Sequence, residues 1–351
     1  MPGDAERLRA STVIVKGHAD IYALVDRMNR GERGVLRRCW LETMVGAGVD
    51  LVVVAVSGDT EAHLNGAQRA LHGALELWDF FLRELAAAGP RVSVVRTARD
   101  LPAQVEPGRL RIVLALEGGR PLEQNLAHLR NFYRLGMRVL GMSHDLRNEL
   151  VDGRDEGRTG GGLSRFGRAV VKEANRLGIL LDISHISDFG FVHVVEASEQ
   201  PVVVSHANSR AVFDHPRNVS DEQLRLLAAK GGVLGLIDVP GLVGRGRAPI
   251  DGLLAHLDHV VDVVGVEHVA VTDLGTERNE LRTVEGAGGP HDRAAPAQAG
   301  RPEEHGDREP MGRLIDALLA RGYADADVGL VLGGNMRRLL ARAQPSREVV
   351  G

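Results

Sequence analysis

Residues 179–206 read ILLDISHISDFGFVHVVEASEQPVVVSH, and this stretch decides the fold. Two short apolar runs, Ile179–Ile183 and Pro201–Val204, are each followed by a Ser-His pair, and a helical pattern, Ser187–Ser198, links them. Neither run alternates with polar residues. Strands buried on both faces read this way, and such strands belong to parallel sheets covered by helices.

The same alternation extends outward in both directions. Strands are expected at Thr12–Lys16, Asp50–Val56, Arg111–Leu116, Arg138–Met142, Gly232–Ile237 and His268–Thr272, with an extra extended piece at Val92–Val95. Helical patterns fall between them at Ala62–Ala88, Pro121–Leu135, Ser164–Leu177, Ser220–Lys230 and Ile250–Val264. Ser220-Asp221-Glu222 is a helix start, with a cap and acids in the first turn, and Leu177-Gly178 is a stop. Eight parallel strands favour a closed α/β barrel of the (β/α)8 TIM type over an open sheet. A single barrel domain is expected over residues 1–345. It includes a long Gly-, Pro- and Arg-rich loop at about 275–310 and a last helix opening at Gly333-Gly334-Asn335, and it leaves a tail at 346–351.

Composition narrows the functional classes. The chain has 351 residues, 44% hydrophobic and 26% charged, which is ordinary for a globular protein. A net charge of -4 provides no basic field for nucleic acid or an anionic membrane. One cysteine, Cys39, excludes an internal disulfide framework and a multi-cysteine zinc site. Neither a signal peptide nor a spanning run of about 18 apolar residues is visible, so a cytoplasmic location is the expectation.

Polar groups able to hold a metal recur at the carboxyl ends of the strands. His18 and Asp20 follow the first, Glu117 the third, His144 the fourth, His185 the fifth, His206 the sixth and Asp273 the eighth. In a barrel these ends converge on one mouth. A single histidine at a strand end is more often structural than a ligand; the ordered set is what carries the reading. His18 and Asp20 lie two apart and share a side of an extended chain. Two imidazoles on neighbouring strands, about 4.8 Å apart, can reach one cation through bonds of about 2.0–2.1 Å. Imidazole with carboxylate suits zinc, with manganese and iron as alternatives. Two cations about 3.5–4 Å apart hold a bridging hydroxide and polarise a carbonyl, which is machinery for amide or ester hydrolysis.

Taken in order, Gly17-His18-Ala19-Asp20, Glu117-Gly118, Ser184-His185, Ser205-His206, Arg217-Asn218-Val219, Thr272-Asp273 and Gly333-Gly334-Asn335 resemble the membrane (renal) dipeptidases, the M19 metallopeptidases. The resemblance implies a (β/α)8 barrel with two zinc ions that cleaves dipeptides, often with a D-residue at the C-terminal position, and that often dimerises. It implies His18 and Asp20 on the first zinc, Glu117 bridging, and His185 and His206 on the second. His144 would contact the substrate carbonyl, Arg217 the substrate carboxylate, and Asp273 the attacking water and the amine. Arg217 pairing with Asp221 is the structural alternative.

Three departures from the family pattern stand out. Lys16 occupies a usual Asp position, Ala19 replaces a common Asn, and a second acid after Asp273 is missing. By strict alternation Lys16 shares a face with His18 and Asp20, where its charge would oppose a metal. Lys16 and the altered run after Asp273 motivate the reading of a specialised amide or cysteinyl-glycine-type hydrolase, and Lys16 alone that of a non-catalytic metal-binding barrel. Asp182, three before His185, is expected to face away from it, either as an anchor for a ligand or as a barrel–helix acceptor.

Overall fold

A computed structural model describes residues 3–21, 31–59, 70–157, 160–244, 249–273 and 310–344. Strands are numbered in chain order: β1 Val15–Asp20, β2 Leu51–Ser57, β3 Val92–Val94, β4 Leu110–Glu117, β5 Met137–Gly141, β6 Leu180–Asp182, β7 Val203–Val204, β8 Val233–Ile237 and β9 Val269–Asp273. The hydrogen-bonded order is β1-β2-β4-β5-β6-β7-β8-β9, and β3 pairs outside this path with β4. Every pairing is parallel. β9 returns to lie against β1, giving a nearly closed eight-strand barrel. The 275–310 loop and the 346–351 tail lie outside the described residues. Among the described residues no helix is long and apolar enough to cross a membrane.

Strand side chains sort into two apolar layers. Leu51, Val53, Val113, Val139, Val203 and Val233 fill the barrel interior. Their neighbours Val52, Val54, Ile112, Leu140, Val204 and Leu234 face outward into the helical layer. This two-sided burial is why the strands read as unbroken apolar runs. The helix Asn335–Ala343 sends Met336, Leu339 and Leu340 into the inner layer beside Val13 and Val15, closing the amino end of the barrel. Asn335 ties it there by donating from Nδ2 to the carbonyls of Val266 and Val269, at 2.7 and 2.8 Å.

β1 departs from the expected strand in a way that matters for the site. It starts later than expected and runs through His18 to Asp20. Lys16 pairs with Val52, but Ala19 pairs with Val54, so Gly17 and His18 together oppose the single residue Val53. This is a β-bulge, which breaks alternation and re-aims side chains. Val15 lies in the inner layer and Ala19 in the outer one. Lys16 is therefore buried on the face opposite Val15. The expectation that Lys16 points inward beneath His18 is corrected: the extra residue separates their faces.

Gly17 makes the bulge sterically possible. A Cβ there would overlap the Thr272 side chain on β9 and press on Met336. Gly17→Ala should therefore lower stability by about 1–3 kcal/mol, as overpacked cores do. Urea unfolding checks this, and an unchanged midpoint would mean that the seam between β1 and β9 is looser than described.

Candidate metal centre

The side chains at the barrel mouth converge. Glu117 ends β4, and its Oε1 lies 3.6 Å from His18 Nε2, 3.4 Å from His185 Nε2 and 3.7 Å from His206 Nε2. Asp20 Oδ1 lies 3.3 Å from His18 Nε2. The ring of His18 stacks on that of His206, with centroids 3.8 Å apart, and the ring of His144 stacks on that of His185 at 4.2 Å. Three overlapping groups have ligand atoms within 4.8 Å of one another: His18–Asp20–Glu117, Glu117–His144–His185 and His18–Asp182–His206.

Tautomers follow from the partners. His185 Nδ1 lies 2.7 Å from Asp145 Oδ1, an acceptor, so Nδ1 carries the proton. Ser205 Oγ gives its proton to Asp182 Oδ2 at 2.5 Å and accepts from His206 Nδ1 at 2.7 Å. Burial keeps both imidazoles neutral, well below the usual histidine range. Arg217 adds to this at His185, and His18 at His206. The two Nε2 atoms then face each other 2.6 Å apart, each with a lone pair and no proton to share. Two lone pairs this close repel; the Arg217 guanidinium, 3.0 Å from His185 Nε2, relieves one of them in part, and a divalent ion would satisfy both, so the donor set fits a divalent metal.

Burial opposes charge on His18, but the carboxylates of Glu117 and Asp20 outweigh it and raise the imidazole to about 9. Burial pushes the Glu117 carboxyl up to about 8, although His18 pulls it down. Without a metal, these two groups share a proton-rich state.

Arg217 is buried beside the cluster. Its Nη2 donates to the His206 carbonyl at 2.9 Å and lies 3.0 Å from His185 Nε2. The alternative pairing with Asp221 is not what forms, because Asp221 Oδ1 lies 2.8 Å from His259 Nε2. Asp273 ends β9 opposite Ile237, which places its backbone at the mouth; its side chain lies outside the described residues.

Asp182 corrects an expectation. It lies in the mouth with His18 and His206, on the inner face that alternation from Leu180 gives, and His185 is the residue that leaves the alternation to join them. β6 ends at Asp182, so the chain turns before His185 and alternation no longer counts faces. Its Oδ1 accepts from the backbone N–H of Ser184 and Ser205, both at 3.1 Å, and from Ser184 Oγ at 2.6 Å.

Two acids at the mouth were not found in the sequence. Asp59 follows β2 as Glu117 ends β4, so the strand-end rule applied to the second strand would have found it. Its Oδ2 accepts from Asn148 Nδ2 at 2.7 Å and from the His144 N–H at 3.2 Å, fixing the loop that carries His144. Burial raises its carboxyl to about 6 against the hydrogen bonds from Arg120 and Asn148. Asp145, beside His144, offers no such positional signal.

A family profile described as membrane dipeptidase (peptidase family M19) matches residues 4–277. The chain belongs to peptidase family M19. Dipeptidase verJ of Clonostachys rogersoniana is 31% identical over 251 residues, covering 71% of this chain and 60% of that protein. Dipeptidase 3 of Rattus norvegicus is 31% identical over 286 residues, covering 80% and 54%. The chain thus spans little more than half the length of these two relatives. Among solved structures, the M19 metallopeptidase called dipeptidase AC superposes with a TM-score of 0.78 at 25% identity, covering 95% of this chain and 99% of that one. An amidohydrolase from Pseudomonas aeruginosa shares the fold, with a TM-score of 0.77 at 24% identity and coverage of 97% and 99%.

Proposed function

We propose that this M19 protein is a metallo-dipeptidase, a single barrel over residues 1–345 that hydrolyses the peptide bond of a dipeptide, including dipeptides with a C-terminal D-residue. The observation that carries it is the convergence of the His185 and His206 Nε2 atoms, 2.6 Å apart, on the carboxyl of Glu117. His18 and Asp20 would hold one divalent ion, preferably zinc, and His185 and His206 a second, with Glu117 between. Bound there, the ions supply Lewis acidity toward the scissile carbonyl and lower the pKa of the attacking water.

The chain's own residues do the rest. His144, stacked on His185, faces the carbonyl that becomes an oxyanion. The Arg217 guanidinium takes the substrate's terminal carboxylate; its fixed fork suits that group better than an ammonium does. Asp273, at the end of β9, receives the proton of the water and passes it to the leaving amine. A carboxylate contact at one end and an amine contact at the other limit the substrate to two residues. Lys16 lies on the opposite face of β1 from Val15 and the inner layer, which favours the catalytic reading over a barrel that binds metal without turnover.

Zinc-loaded protein should release amino acids from L,L and L,D dipeptides, with activity lost on chelation and regained with metal. Protein that holds two metals per chain and cleaves no member of such a panel would overturn the proposal. Arg217→Ala should raise KM about 10- to 100-fold while keeping the metal, because a hydrogen-bonded charge contact contributes about 1.5–3 kcal/mol. Steady-state kinetics with metal analysis checks this; loss of metal in Arg217→Ala would mean that the residue serves the cluster and not the substrate.

A further inference from the structure

Asp145 sits in a left-handed conformation, with φ of 59°. Few non-glycine residues adopt it, and Asp and Asn tolerate it best. The turn is tight, with the Leu146 N–H donating to the His144 carbonyl at 2.7 Å. The segment is tied down on both sides: the Arg154 N–H donates to the His185 carbonyl and the Asp155 N–H to the Asp145 carbonyl, each at 2.8 Å. Gly153 permits this approach, since a Cβ there would overlap the Asp145 carbonyl.

The turn aims a buried carboxylate inward. Oδ1 lies 2.7 Å from His185 Nδ1, and Oδ2 lies 3.1 Å from Arg154 Nη2. Asp145 is thus gripped by a guanidinium on one oxygen and grips an imidazole with the other. His206 is held differently. Its Nδ1 meets a neutral hydroxyl, Ser205, and reaches the Asp182 carboxylate only through it.

We propose that Asp145 is a positioning residue for the metal centre. It retains the Nδ1 proton of His185, directs the Nε2 lone pair at the cluster, and makes His185 a stronger donor than His206, with Arg154 fixing the plane of the carboxylate. A carboxylate on the distal nitrogen of a ligating imidazole orients the ring and raises its basicity. The inference rests on the reading of the cluster as a divalent-metal site.

The test is zinc competition with a chromophoric chelator on wild type, Asp145→Asn and Arg154→Gln, alongside the melting temperature of each metal-free protein. Asn keeps the size of the side chain and the tolerance for left-handed backbone. Asp145→Asn is expected to bind one class of zinc about 10- to 100-fold more weakly, with the other class and the metal-free melting temperature unchanged. Arg154→Gln is expected to weaken the same class by a smaller factor. Dipeptide kinetics should show a lower kcat with KM nearly constant. A loop with a purely structural task would instead lower the metal-free melting temperature and leave zinc affinity alone. If wild type binds zinc and Asp145→Asn binds it equally well, this proposal falls and the metal reading stands. If wild type takes up no zinc, both fall. Should Asp145→Asn fail to fold, unchanged zinc affinity in Arg154→Gln overturns the proposal.

Discussion

Glu117→Gln should cut kcat/KM by at least about 10³-fold, roughly 4 kcal/mol of transition-state stabilisation, and should strip metal from the protein. The glutamine has the same shape and removes only charge. That charge sits at the hub: Oε1 is within 3.7 Å of the Nε2 atoms of His18, His185 and His206. Three neutral donors around an amide attract a divalent ion far less than the same donors around a carboxylate. Stability should move the other way. Burial raises the Glu117 carboxyl to about 8, so its charged form is disfavoured in the metal-free fold. Metal-free Glu117→Gln should therefore melt no lower than metal-free wild type at pH 8. Metal analysis, kinetics and paired melting curves test both halves. A glutamine variant that keeps its metal and its rate would remove Glu117 from the centre of the site.

Removing the metal should also change the sign of the pH dependence of stability. His18 is raised to about 9 in the fold, against an ordinary value near 6.5, by carboxylates that outweigh its burial. Its contribution is fully present below pH 6.5 and is lost as the pH rises through about 9. Glu117 is raised from 4.5 to about 8, chiefly by burial. Its penalty grows as the pH rises from 4.5 through 8. In both cases the folded state binds more protons than the unfolded one, so metal-free protein should lose stability between pH 6.5 and 9. A bound cation needs His18 neutral and Glu117 ionised, so it displaces these protons and its affinity climbs with pH over the same interval. Melting temperatures from pH 6 to 8.5, in chelator and in zinc, should diverge. A flat curve in chelator would mean that His18 and Glu117 do not share the proton described here.

Much of the centre was legible in the sequence because a parallel barrel collects the carboxyl ends of its strands at one mouth. His18, Asp20, Glu117, His144, His185, His206 and Arg217 could be named from that rule and from the family resemblance, and all seven meet there. Asp59 obeys the same rule and was missed only at the second strand. Asp145 obeys none: its carboxylate reaches His185, 40 residues away, through a left-handed turn that no periodicity signals.

The sequence by itself determined which elements form and which donor types stand at their ends. Apolar runs must be buried on both faces, and a buried strand end leaves polar side chains only one place to go. The tertiary structure alone decided where those side chains point. The bulge at Gly17 and His18 separates the face of His18 from that of Lys16, and the turn after β6 brings His185 to the same mouth as Asp182. Both reverse what alternation gives, because parity holds only while the hydrogen-bond register is unbroken, and register is fixed by neighbouring strands distant in the chain.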